Sequence, residues 1–304
     1  MSTVSIVKCK YNQHLYQNLS KGIKLAGDLD IKKEDTITIK INLCDARQPE
    51  SGAITHPLFL GALLKYLRRN FGHLRIYVVE SDATSAIPDF FVRWFGLDTV
   101  IKKWNAKFVN LSKLPSKNKR IEGGYLKRVP VPQILEDSYF ITLPKMKTSS
   151  VTTITCCLKN QFGCLPMKRK IVFHPHIDQV IADVNQVMRP DFCVVDGILG
   201  LGGPQGPTFG EPIAANVSVA GKDPVAVDAV CSRVMGLNPM FISHIRKAAR
   251  AGIGDMKYHV TGEKIKDVRT NFHISRLEFR MLKLASLMKS RALVKSRNRW
   301  RNKR

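Results

Sequence analysis

Three lysines stand close together in the middle of the chain, in the segment Leu143-Pro-Lys-Met-Lys-Thr-Ser-Ser150 and, after a short β-branched run, Cys156-Cys-Leu-Lys-Asn-Gln-Phe-Gly163. An apolar run ends at Leu143, and a helix is expected to start near Thr148 to Ser150, where hydroxyls can cap it. A helix N-terminus offers unpaired N–H groups and a partial positive charge, and lysines add full charges beside it. The chemistry such a turn supports is capture of a phosphate or carboxylate. Lys145 and Lys159 are candidate catalytic residues, and Lys147, Thr148 and Asn160 are candidates for holding and orienting the anion. The competing reading is a solvated basic turn. The G-x-x-x-x-G-K-[ST] phosphate loop is absent.

A second candidate is the glycine-rich stretch Asp196-Gly-Ile-Leu-Gly-Leu-Gly-Gly-Pro-Gln-Gly-Pro207. Glycines let backbone approach a ligand closely, so Gly202 and Gly203 are expected to touch the anion. Asp196, at the expected end of a strand, would bind a metal or orient a lysine. The prolines argue against a dinucleotide-binding turn, although Gly200-Leu-Gly202 resembles its start. His174, in Phe173-His-Pro-His176, is the acid–base candidate because it follows the lysine-rich segment. His56, in Thr55-His-Pro57, reads as a packed or capping residue. Asp178, Asp183, Asp223 and Asp228 offer carboxylate partners, and Asp228 is taken as the candidate that fixes a lysine or a divalent ion. No spacing among them defines a triad or a metal set. Neither a zinc C-x₂-C pair nor a ferredoxin cysteine run occurs, so no iron–sulfur cluster motif is present in the chain.

These residues need a scaffold, and the hydrophobic pattern supplies one. Short β-branched runs at Thr3 to Val7, Thr36 to Ile41, Arg75 to Val79, Lys107 to Val109, Ser138 to Leu143, Phe192 to Val195 and Ala214 to Ala220 read as strands. Between them, helical periodicity runs over His14 to Ala26, Pro57 to Asn70, Asp89 to Lys103, Ile177 to Met188 and Asp223 to Met235. This alternation predicts an α/β fold, a mostly parallel sheet flanked by helices. Such sheets hold ligands outside the C-terminal ends of their strands. The loops Asn42 to His56, Glu80 to Pro88, Pro144 to Ser150 and Asp196 to Glu211 are therefore expected to converge on one cleft, with Asn42 among its anion-binding residues. The polar stretch Ser112 to Arg128 is a linker or an exposed hairpin, and two lobes would meet near 112–130.

The net charge of +25 attracts anions: small acids and phosphates, anionic lipid heads or nucleic acid. Residues 276–304 hold eleven Lys/Arg against the single acid Glu278, which leaves about +15 on the rest. Leu277, Met281, Leu284 and Met288 fall on one helical face ahead of an almost purely basic end. Such a tail suits an anionic membrane surface; nucleic acid is the less favoured partner, since aromatic platforms and known motifs are missing. No apolar run approaches the roughly 20 residues a spanning helix requires. Met1 to Tyr16 has no apolar signal core, and seven cysteines, an odd number, suit reduced thiols. The expected location is cytoplasmic, peripheral at the inner membrane face. The expected organisation is an α/β body over 1–262 and a basic amphipathic tail over 263–304.

Lys40-Ile-Asn42, Thr55-His-Pro57, Val79-Glu-Ser81, Leu143-Pro-Lys-Met-Lys-Thr148, Leu158-Lys-Asn-Gln-Phe-Gly-Cys164, Asp196-Gly197, Asp223-Pro-Val-Ala-Val-Asp228 and Ala251-Gly-Ile-Gly254 occur in this order over residues 36–262. In this the sequence resembles the family called domain of unknown function 362. The resemblance implies an α/β protein of unassigned activity, in a family many of whose members carry a ferredoxin-type iron–sulfur module. This chain lacks the cysteines of that module, so a redox role would pass through a separate redox protein as partner. Two functions are expected to compete: an enzyme acting on a small anionic substrate or cofactor, and a non-enzymatic binding or assembly protein placed by its tail.

Overall fold

The structure is a computed structural model that describes residues 1–32, 36–72, 74–84, 86–203 and 210–272, together with 281, 284 and 288. Residues 204–209 of the glycine-rich stretch, Leu277 and the polybasic end 289–304 lie outside the described residues.

In chain order the elements are β1 (Ser2–Lys8), α1 (Leu15–Leu25), β2 (Thr36–Lys40), α2 (Pro57–Phe71), β3 (Arg75–Glu80), α3 (Pro88–Trp94), α4 (Leu97–Lys103), β4 (Lys107–Asn110), β5 (Ser116–Arg120), β6 (Arg128–Pro132), α5 (Gln133–Glu136), β7 (Tyr139–Thr142), β8 (Lys145–Ser149), β9 (Thr153–Thr155), α6 (Cys157–Phe162), α7 (Ile177–Val187), β10 (Phe192–Gly202), β11 (Glu211–Gly221), α8 (Pro224–Val234), α9 (Ser243–Arg250), β12 (Tyr258–Gly262) and α10 (Ile265–Val268). Local chemistry sets several of the boundaries. Asp223 accepts from the N–H groups of Val225 and Ala226 at 2.8 and 3.1 Å, and Pro224 follows as the first residue of α8. His56 caps α2 in the same way, its Nδ1 accepting from Leu58 N at 3.2 Å ahead of Pro57.

Eight strands run across the main sheet in the order β12-β1-β11-β10-β7-β2-β3-β4. Five of the ladders are parallel, and β11 pairs antiparallel with both β1 and β10, so in this path it alone runs against its neighbours. β10 is long enough to serve two partners in turn. Phe192 and Cys193 pair with β7, and Asp196 and Leu201 then pair with Lys145 and Lys147 of β8. β9 folds back antiparallel on β8. Helices cover both faces: α1, α2 and α4 pack together on one, and α6, α7, α8 and α9 on the other. Each face has its own apolar core, built for instance around Ile37, Ile39, Leu63 and Leu67 on the first and Val180, Val195, Val227 and Val230 on the second. Fully burying one such side chain contributes about 1.5–3 kcal/mol.

Four expectations are corrected. The helix foreseen over Asp89 to Lys103 is broken into α3 and α4 at Gly96, which sits in the left-handed region at φ +69. The helix foreseen from Thr148 starts later, at Cys157, because Lys145–Ser149 is taken up as a strand against β10. The glycine-rich stretch is not a loop as far as Gly202. It continues β10, with an irregularity between Gly197 and Leu199. Its small residues answer to packing: a Cβ on Gly200 would come within 2.5 Å of Met146 O, and one on Gly202 within 2.0 Å of Ile213 Cδ1. Finally, residues 263–272, read as the start of the tail, lie on the body: Thr270 N donates to Val234 O, Gly203 N to Phe272 O, and Phe272 is fully buried. The polar stretch after Ser112 is the hairpin β5–β6, separate from the main sheet.

Candidate functional site

The C-terminal ends of β2 and β3, the hairpin β8–β9 and helix α6 surround a cleft of about 430 Å³. Five lysines line it: Lys40, Lys147, Lys159, Lys168 and Lys170. Glu80 is its one lining carboxylate among the described residues, and His174 closes one side.

The floor is a buried ion pair. Lys40 ends β2 and Glu80 ends the neighbouring β3; their Nζ and Oε1 atoms lie 2.7 Å apart, with side chains 1% and 5% exposed. Glu80 also accepts from the N–H groups of Leu43 and Ser81 at 2.9 and 3.0 Å, and Lys40 donates to Ile41 O at 2.7 Å. Gly163 explains the glycine of the Lys-Asn-Gln-Phe-Gly motif. A Cβ there would stand 2.8 Å from Lys40 Nζ and 3.2 Å from Glu80 Oε1. Ser81 Oγ donates to Gly163 O and accepts from Lys170 Nζ at 2.8 Å, tying the cleft's outer wall to this floor.

A chain of amides joins the floor to β8. Lys147 Nζ donates to Asn42 Oδ1 at 2.6 Å, to Ala53 O at 2.8 Å and to Cys44 Sγ at 3.4 Å. Asn42 donates in turn to Asn160 Oδ1 at 3.2 Å, and Asn160 donates to Lys40 O and to Thr142 Oγ1. Asn160 thereby pins α6 to β2 and β7. Asp228, in the core, holds the start of α6, accepting from Cys157 N at 2.7 Å and Leu158 N at 3.1 Å. Lys159, between these anchors, reaches the cleft and donates to Ser149 Oγ at 2.8 Å. Burial, and Lys147 beside it, push its ammonium down to about 8, against smaller opposing pulls from Cys44 and Asp178. Burial likewise takes Lys170 down to about 8, with Glu80 opposing. Burial and the charge of Lys159 push the His174 imidazole to about 4, so it is neutral at pH 7.

Of the residues expected to converge, Asn42, Lys147, Lys159, Asn160 and His174 share this cleft, and the others lie elsewhere. Lys145 is fully buried in an ion pair with Asp196, 3.0 Å away and equally buried, and Tyr11 Oη donates to both Asp196 oxygens at 2.8 Å. Asp196 is mid-strand and orients a lysine, where a metal role was the alternative. Tyr11 stacks on His56 with ring centroids 3.9 Å apart, which completes this second, closed polar cluster. Thr148 donates to Gly203 O at 2.6 Å and ties β8 to the end of β10. Gly202 and Gly203 belong to the same seam, where Gly203 needs its φ of +95. Asp228 accepts from the first N–H groups of α6 and forms no ion pair with a lysine among the described residues. The competing reading of this segment as a solvated basic turn is corrected at Lys145 and Lys147, which are 0% and 1% exposed.

Sequence reasoning assigned no role to Lys40, Glu80, Ser81, Lys168 or Lys170. Two were marked by a physical signal: Lys40 and Glu80 each end an apolar strand, a place where a charge must be paired or face a cleft. For a metal, one group of ligand types comes together among the described residues: Cys156, Cys157 and Asp228, with ligand atoms within 4.8 Å, all in the core and away from the cleft. Apart from the half-buried Cys44, the cysteines are buried thiols.

A largely parallel sheet covered by helices on both faces, with a lysine-lined cleft at its strand ends, defines the class as an α/β protein with a basic strand-end cleft. The chain belongs to the family described as domain of unknown function (DUF362), whose model matches residues 37–233 and so takes in every residue of the cleft. A thylakoid-associated protein of Synechocystis is 27% identical over 136 residues, 42% of either chain, so the match spans about two-fifths of that relative's length. A crystal structure of a protein from Thermotoga maritima superposes with a TM-score of 0.43 at 14% identity, covering 73% of this chain and 59% of that one. No helix among the described residues is long and apolar enough to cross a membrane.

Proposed function

We propose that the cleft binds a small phosphorylated or carboxylated molecule. The observation that carries this reading is its charge: five lysines face about 430 Å³, and the one lining carboxylate, Glu80, is already paired with Lys40. The field of four remaining ammonium groups in a partly desolvated cleft favours an anion far more than the same charges spread on an open surface. Lys147 contributes its charge while its hydrogens are held by protein acceptors. Lys159 and the exposed Lys168 supply the movable donors, with Ser149 and Ser150 beside them. Replacing Lys159 by methionine is expected to weaken pyrophosphate binding by about 1.5–3 kcal/mol, the range for a hydrogen bond to a charged group. Lys168→Met should weaken it less, and Lys103→Met, on the surface of α4, should leave it unchanged. Calorimetric titration reads all three, and equal affinities across the series would remove the reading.

A second reading concerns location, and a separate observation favours it. Met281, Leu284 and Met288 are helical, and 65%, 63% and 65% exposed. They present an apolar stripe next to a segment whose sequence is almost purely basic. Such a helix lies in an anionic lipid surface, each basic residue near the leaflet adding about 1 kcal/mol. The thylakoid-associated relative is in keeping with this placement. The full chain is expected to pellet with phosphatidylglycerol vesicles and not with phosphatidylcholine vesicles, and a chain ending at Phe272 is expected to stay in solution. Phe272 is part of the core, so this cut leaves the body whole. Sedimentation of both chains alike would show that the tail is not the anchor.

A further inference from the structure

The half-buried Lys159 differs from the buried lysines of the cleft in what its nitrogen meets. Lys40 has a carboxylate, Lys147 has an amide oxygen, a carbonyl and a thiol, and Lys170 has Ser81 Oγ and Asp82 O. Lys159 has one neutral hydroxyl, Ser149 Oγ, and no ion pair is formed with it among the described residues. Its side chain leaves a helix fixed at both ends of the first turn, by Asp228 at Cys157 and Leu158 and by the Asn160 amide at β2 and β7. The amine is therefore held on a rigid element and aimed into a cleft lined with cations.

We propose that Lys159 is an amine nucleophile that forms a Schiff base with a small carbonyl compound carrying a carboxylate or phosphate. This rests on the anion-binding reading of the same cleft, since the neighbouring lysines would hold the acidic group while Nζ reaches the carbonyl. The neutral amine adds to the carbonyl carbon, forming a C–N bond as the C=O π pair moves to oxygen. A proton passes from nitrogen to that oxygen, giving a carbinolamine. Loss of water then breaks the C–O bond and leaves C=N, with nothing oxidised or reduced. His174 lines the same cleft as a neutral imidazole and can take and return the proton, directly or through one water.

A lysine is a nucleophile only when unprotonated, and desolvation beside another cation is a general way to make it so. The charged and titratable groups that bear on Lys159 are Lys147 on β8, Cys44 after β2, Asp178 on α7 and His174 ahead of it. With its ammonium lowered from the ordinary 10.5 to about 8, Lys159 holds about two orders of magnitude more free amine at pH 7.4 than an exposed lysine.

The test is reductive trapping on the full, folded chain, with glyoxylate as the probe and cyanoborohydride as the reductant at pH 7.4, followed by peptide mapping. Lys159 is expected to become carboxymethylated at least tenfold faster than the surface lysine Lys103, and pyrophosphate is expected to slow Lys159 alone. Lys159→Arg, which keeps the charge, should lose the fast adduct. Because the mapping is internal to the native chain, it does not depend on the variant folding. Labelling of Lys159 no faster than Lys103 overturns the proposal. If pyrophosphate still binds in that case, only the nucleophile falls; if it does not bind, the anion reading falls with it.

Discussion

Asp196→Ala is expected to lower folding stability by about 3–5 kcal/mol, the cost of leaving one member of a buried ion pair without its partner. Both side chains of the Lys145–Asp196 pair are fully buried, and the contact is 3.0 Å. Burial drives the Lys145 ammonium toward deprotonation, and Asp196 holds its charge in place. The same carboxylate takes the Tyr11 hydroxyl on both oxygens and the N–H of Ile198 at 3.2 Å, so alanine strands a cation, a phenol and an amide at once. Unfolding in urea should show a lower midpoint at an unchanged slope, the sign of a native state weakened without a change in compactness. The double variant Lys145→Met, Asp196→Leu should recover much of the loss, because a buried pair replaced by apolar groups of similar size is often neutral. An unchanged midpoint for Asp196→Ala would mean that the pair is solvated, and would return both residues to consideration as ligand-binding groups.

That experiment bears on why some site residues were legible in the sequence and others were not. The alternation of β-branched runs with amphipathic segments reports burial directly, so β2, α2, β3, α7 and α8 fall within a residue or two of their expected ranges. Placement of polar side chains is different. Lys145 and Lys147 are two apart on one strand, and so share a face of β8, yet β10 twists and shifts register between Asp196 and Leu201, where they pair. One lysine enters a closed cluster with Asp196 and Tyr11, and the other joins the cleft through Asn42. Tyr11 lies 134 positions away in the sequence from the lysine it meets, and no local pattern announces that contact. The stretch from Gly197 to Gly202 misled for a related reason. Glycine permits a loop, and it equally permits a strand that neighbouring groups approach too closely for a Cβ, which is what Met146, Ile213 and Phe272 do here. Lys159 and Asn160 were more legible because they sit near the start of a helix that follows a strand, the usual position of ligand groups in sheets of this class, and His174 because it lies just ahead of α7 and after the lysine-rich segment.

Glu80→Gln is expected to move stability and ligand binding in opposite directions. Stability should fall by about 3–5 kcal/mol, since Lys40 loses its charged partner at 2.7 Å in a site where both side chains are almost wholly buried. The amide also replaces one of the oxygens that receive Leu43 N and Ser81 N by a donor, so one of these N–H groups faces another N–H. The cleft, in contrast, loses its one lining carboxylate among the described residues, and Lys40 becomes a fifth unneutralised cation facing whatever anion enters. Pyrophosphate affinity should therefore rise, by about tenfold if Lys40 gains a single charge-assisted contact worth about 1.4 kcal/mol. Lys40→Met separates the two effects: it should destabilise by stranding Glu80 and should weaken pyrophosphate binding, because the lone carboxylate then repels the ligand. Chemical unfolding and calorimetric titration on the same preparations read both quantities. Binding that weakens in Glu80→Gln at temperatures where the variant is fully folded would show that the pair serves the ligand as a fixed hydrogen-bonding wall, and that the charge of the cleft is not what holds the anion.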